Sequence, residues 1–132
     1  MNAVEFGCLA PRRSLSRAAA LASLSDQLEE LVTRLAPDVV VVETPFFGRF
    51  PKAALALAEA RGALLAVLGR WGGEVIELEP ARVKAAVVGN GRAEKRQVAF
   101  VVRHALGLAE TPAPDEADAL ALALCHLRSA LP

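Results

Sequence analysis

The run Val39-Val40-Val41-Val42, closed by Glu43 and then Pro45, constrains this chain more than any other stretch. Four β-branched residues in succession leave no polar face, the pattern of a strand buried on both sides in a helix-covered sheet. Pro45 cannot donate to a ladder and stops the pairing. Glu43 thus stands at the carboxyl end of a strand, where open α/β sheets gather their functional groups. On the residues alone it is either a solvated strand terminus or one member of a site.

The elements around it can be read from periodicity. Val4-Glu5-Phe6-Gly7-Cys8-Leu9 alternates weakly and predicts a strand almost at the start. With Ser14 or Ser16 as N-cap, apolar positions Leu21, Leu24, Leu28, Leu31, Val32 and Leu35 predict a helix that Pro37 ends. Pro51 opens a second helix running to about Arg70. Its small residues Ala54, Ala58, Gly62 and Ala66 share one face, suited either to packing within the chain or to a homodimer seam. Gly72-Gly73 turns into a strand over residues 74–78, and Pro80 starts a helix to about Val88. After Gly89-Asn90-Gly91, a helix is predicted from Arg92 to Leu106 with Val98, Val101, Val102 and Ala105 inward and Gly107 as its stop. The last helix is expected from Asp115 to about Ala130, with Ala119, Leu120, Ala123, Leu124 and Leu127 inward.

Length and charge exclude several classes. At 132 residues the chain suits one domain with its own core. The charge-free run from Ala18 to Ser25 is too short to span a bilayer and no signal pattern opens the sequence, so a cytoplasmic protein without a membrane partner is expected. Cys8 and Cys125 lack metal-ligand spacing and read as reduced, buried thiols. Fifteen basic and fifteen acidic residues cancel, so attraction to nucleic acid must come from a local patch.

Such a patch exists. Arg82, Lys84, Arg92, Lys95 and Arg96 crowd into residues 82–96 with Glu94 the lone acid, and the Gly-Asn-Gly turn offers backbone N–H groups ahead of a helix. Asp115 and Asp118, three apart, share a face of the last helix's first turn. They serve there as cap and dipole partners, or as ligands. Joined with Glu43 they make three hard oxygen ligands of the kind Mg²⁺ takes, the apparatus of in-line phosphodiester hydrolysis. Phe46 and Phe47 follow Glu43 and suit either base stacking or the core. His104 and His126 lack matched partners and read as structural.

Four blocks together resemble the RuvC family of bacterial Holliday-junction resolvases. They are Val42-Glu43-x-x-Phe46; Ala60-Arg61-Gly62; Val83-Lys84-x-x-Val87-x-Gly89-x-Gly91-x-Ala93-x-Lys95-x-Gln97-Val98; and Asp115-x-x-Asp118-Ala119-Leu120-Ala121-x-Ala123. The likeness runs in order from about Val4 to Leu127. It implies an α/β, RNase H-like (retroviral-integrase superfamily) mixed sheet flanked by helices, in a single nuclease domain over residues 1–132. It implies a Mg²⁺-dependent endonuclease, with Mn²⁺ as substitute, that cuts opposing strands of a four-way DNA junction as a homodimer. By it Glu43, Asp115 and Asp118 are catalytic metal ligands, and Lys84 and Lys95 are catalytic groups that hold the scissile backbone. Phe46, with Phe47, Arg49, Arg82, Arg92 and Arg96, completes the expected DNA contacts. The helix from Pro51 to Arg70 lies at the dimer axis, and the RuvA–RuvB branch-migration complex is the expected partner.

One departure accompanies the resemblance. Family members begin with a strand ending in Asp-Pro-Gly, which supplies a first metal-binding Asp, and then a second strand. Here Met1-Asn2-Ala3-Val4 resembles the start of the third. An N-terminally incomplete chain is therefore expected, or a shortened one, and with it a second functional reading: a catalytically inactive dimeric module that binds junctions without cutting them.

Overall fold

The computed structural model describes residues 1–13, 15–44 and 51–130. Phe46, Phe47 and Arg49, expected at DNA, lie outside these residues, as does Ser14. In chain order the elements are α1 (Arg17–Leu35), β1 (Val39–Glu43), α2 (Pro51–Trp71), β2 (Glu74–Leu78), α3 (Pro80–Val88), α4 (Lys95–Leu106) and α5 (Pro114–Ala130). Among the described residues β1 and β2 form one small parallel sheet of two strands. With a ladder on one edge only, the valines of β1 are half-buried rather than enclosed on both faces.

The described residues fall into two compact units. The first takes in residues 1–8, 41–44 and 76–130; the second takes in α1, α2 and their neighbours over residues 9–40 and 51–75.

The second unit is a helix pair. Ser16 caps α1, its Oγ accepting from the Ala19 N–H at 3.2 Å. Such a cap satisfies one of the four donors a helix start leaves orphaned. Pro37 disfavours right-handed helix at the residue before it; Ala36 closes α1 as a left-handed C-cap, φ 44°, its N–H donating to the Val32 carbonyl at 3.0 Å. The Arg17 guanidinium grips the Glu59 carboxylate of α2 with two hydrogen bonds. Of the small-residue face of α2, Ala58, Gly62 and Ala66 are exposed, so they do not pack within the unit.

The first unit carries the core. Leu78 of β2, Val83 and Val87 of α3, Val98 and Val102 of α4, and Leu120, Ala121, Leu124 and Cys125 of α5 form one buried cluster. Val41 and Ile76 of the strands pack on it. Arg128 donates to the carbonyls of Ala86 and Val87 at 3.4 Å, tying the last turn of α5 to the carbonyl end of α3.

Several expectations need correction here. Residues 4–9 form no strand, and Val4 is 90% exposed. Alternation is not a ladder: a strand needs a paired strand beside it, and among the described residues the sheet consists of β1 and β2 alone. Cys8 is exposed in consequence, while Cys125 is buried. The helix expected from Arg92 begins at Lys95, because Asn90 Oδ1 accepts from the Arg92 N–H at 2.9 Å and holds the chain in a turn. Ala105 is exposed and Ala99 buried. On α5, Ala117, Ala121 and Cys125 are buried in place of Ala119, Ala123 and Leu127. An alanine-rich helix carries too little contrast between its sides to fix its rotation.

Candidate active site

The first unit holds a cleft of about 180 Å³ where Glu43, Lys84, Lys95 and Asp118 meet. Each arrives on a different element. Glu43 ends β1, whose pairing extends one step further through the Thr44 N–H to the Leu78 carbonyl at 2.8 Å. Lys84 sits on α3 beside Val83, which turns inward to the core. Pro80 at the start of α3 lines the cleft. Its fixed φ suits the first helical turn, where its missing N–H costs nothing.

Lys95 is the first residue of α4, and its place depends on a capping box. The Glu94 carbonyl accepts from the Gln97 N–H at 3.0 Å, and Gln97 Oε1 accepts from the Glu94 N–H at 2.8 Å. The Glu94-x-x-Gln97 spacing is the signal for this start in the sequence. Gly91 permits the approach to α3 just before it, since a Cβ there would stand 3.3 Å from the Ala81 carbonyl oxygen.

Asp118 lies one turn into α5. The N-cap position of that helix is taken by the residue before Pro114, not by Asp115. The Ala113 N–H donates to Glu116 Oε1 at 2.9 Å, and the Ala113 carbonyl accepts from the Ala117 N–H at 2.8 Å. Asp115 is exposed, stands outside the cleft lining and belongs to the acidic first turn. Sequence spacing placed it beside Asp118; the structure gathers Glu43 with Asp118 and not Asp115. Among the described residues no three His, Cys, Asp or Glu side chains are grouped to hold a metal ion.

The walls matter electrostatically. Val83, Val98, Ala121 and Leu122 line the cleft with the charged groups. Partial burial pushes the Glu43 carboxyl above its ordinary value, and the neighbouring Asp118 carboxylate pushes it further; Lys95 and Lys84 pull the other way. The Lys95 ammonium is 3.7 Å from Asp118 Oδ2. Val83, Val98 and Ala121 stand in the motif blocks, but none of the four is among the expected site residues, because hydrophobic positions declare a core, not which part of it borders a site.

Among the described residues, the other expected DNA contacts Arg82, Arg92 and Arg96 lie outside the cleft lining. Arg82 is exposed on α3, Arg92 is exposed in the turn, and Arg96 is exposed with its guanidinium 3.9 Å from Glu94. His104 is exposed, its Nδ1 2.9 Å from the Phe100 carbonyl and its ring against that phenylalanine. That contact accounts for it structurally. No helix among the described residues is long and apolar enough to cross a membrane.

Comparison with known proteins places these features in a family setting. A family model described as crossover junction endodeoxyribonuclease RuvC matches residues 1–126. The RuvC of Chloroflexus aggregans is 41% identical over 131 residues, covering 98% of this chain and 80% of that protein. The RuvC of Syntrophomonas wolfei is 39% identical over 130 residues, with 98% and 76% covered. Among solved structures, Thermus thermophilus RuvC superposes with a TM-score of 0.77 at 36% identity, over 88% of this chain and 70% of that one. T. thermophilus RuvC in complex with Holliday junction substrate gives 0.84 at 35% identity, over 92% and 74%. The fold is thus RNase H-like, an α/β architecture.

Proposed function

Since this chain belongs to the RuvC family of crossover junction endodeoxyribonucleases, we propose that it resolves four-way DNA junctions by divalent-metal-dependent phosphodiester hydrolysis at the Glu43–Asp118 cleft. The observation that carries this reading is the meeting of two carboxylates and two lysines, drawn from β1, α3, α4 and α5, in one cleft. Nothing in the packing of the core requires four charges there.

Each group has a part in such a reaction. Glu43 and Asp118 supply carboxylate oxygens, the donor type that Mg²⁺ or Mn²⁺ takes. A bound ion of this kind activates water and offsets charge on the leaving oxygen. Asp115, exposed one turn earlier on α5, would join them through a change of side-chain rotamer or by way of water. Lys84 and Lys95 hold the phosphate oxygens of the scissile strand, and Arg82, Arg92 and Arg96 extend the positive surface along the DNA backbone. Phe46, Phe47 and Arg49, next after β1 in the sequence, are assigned to the DNA contacts by the family resemblance alone. We place the reaction in the cytoplasm, in a homodimer built through α2, whose small residues Ala58, Gly62 and Ala66 are exposed. In that setting the chain works with the RuvA–RuvB complex.

A second reading has its own observation. Only two of the three expected acids line the cleft, which favours a chain that binds junctions without cutting them. Incubation of the purified chain with a synthetic four-way junction and Mg²⁺ separates the two. Symmetric nicks in opposing strands support the resolvase, and tight binding with no nicks over a range of Mg²⁺ and Mn²⁺ supports the silent module.

A further inference from the structure

A cation is already present in the cleft, tethered to the chain. The Lys95 ammonium stands 3.7 Å from Asp118 Oδ2, and the Glu94–Gln97 capping box fixes the helix start from which Lys95 projects. Two carboxylates in one partly desolvated cleft repel each other, and the repulsion is relieved by any positive charge that reaches them. A divalent ion would do this, and so does an ammonium. The contact is also easy to break. The Lys95 side chain is 73% exposed and that of Asp118 37%, and the separation exceeds a direct hydrogen bond. Solvated pairs of this kind are weak, so an ion with two charges can displace the lysine.

The geometry points to Lys95 as a tethered placeholder: it neutralises Asp118 in the metal-free protein and yields that position to an incoming divalent ion. This rests on the cleft being the metal site. It also gives Lys95 two successive partners. Before metal binds, its charge is occupied by Asp118; afterwards it is released towards the DNA backbone. Metal loading and grip on the scissile strand are then coupled through one side chain.

The test uses Mn²⁺ alone, without DNA, titrated into the purified chain while the free ion is followed by electron paramagnetic resonance. Lys95→Met removes the competing charge and is expected to bind Mn²⁺ about two- to fivefold tighter, the range set by a solvated ion pair. Lys95→Arg keeps the charge and is expected to match the parent. Asp118→Asn is expected to weaken binding. A lysine that only holds DNA would leave Mn²⁺ affinity unchanged in the absence of DNA. An unchanged or weakened Lys95→Met beside a weakened Asp118→Asn therefore overturns the placeholder and leaves the metal site standing. If Asp118→Asn binds Mn²⁺ as the parent does, the ion binds elsewhere and both fall.

Discussion

Replacing Glu43 by glutamine should make the metal-free protein more stable and, on the resolvase reading, abolish cleavage. The amide keeps the size and most of the hydrogen bonding of the carboxylate but loses its charge. Loss of that charge removes the desolvation penalty and the repulsion from Asp118, together with the attraction to Lys95 and Lys84. The Glu43 carboxyl lies above its ordinary value of 4.5, so the two unfavourable contributions outweigh the attraction. The sign follows by linkage. A carboxyl whose folded pKa is raised holds its proton more tightly in the folded state than in the unfolded one. Its charge costs stability in full above the folded pKa, and the cost disappears as pH falls below 4.5. Glu43 ends its strand at an exposed position, and solvent screening holds the gain to roughly 0.5–1 kcal/mol. For a chain of 132 residues that is a rise in Tm of about 2–4 °C at pH 7. Differential scanning calorimetry at pH 7 and pH 4 reads both halves: a higher Tm for Glu43→Gln at pH 7, and parity at pH 4. A variant less stable than its parent at pH 7, or equally more stable at both pH values, would refute this account of the cleft.

The remaining expectations concern chemistry, affinity and the frame. Asp118→Asn should eliminate nicking of a four-way junction in Mg²⁺ yet keep junction affinity, which a gel-shift assay beside the cleavage assay will show; surviving cleavage would displace Asp118 from the chemistry. Lys84→Ala and Lys95→Ala should each weaken junction binding and lower the slope of log affinity against log salt by about 1, as expected when one phosphate contact is lost. Leu124→Ala, at a position 2% exposed in the cluster that carries α5, should cost about 2–5 kcal/mol in urea unfolding. Ser16→Ala should cost roughly 0.5–2 kcal/mol through loss of the α1 cap.

Much of this protein was legible in the linear order of its residues. Pro51, Pro80 and Gly107 mark element boundaries because a missing N–H or a left-handed backbone is a local requirement, met or not within a few residues. Val39–Val42 and residues 74–78 announce strands for the same kind of reason. The motif blocks around Lys84, Lys95 and Asp118 were sufficient to identify the family, since spacing along the chain is itself the signature. Tertiary structure alone decided which of these groups meet. Glu43 and Asp118 are separated by 75 positions and share a cleft, whereas Asp115, three residues from Asp118, does not line it. It also decided that residues 4–9 make no strand and that α5 buries Ala117 and Ala121 rather than Ala119 and Ala123. Pairing and helix rotation are set by what lies opposite, and the chain does not record its neighbours in the order of its residues.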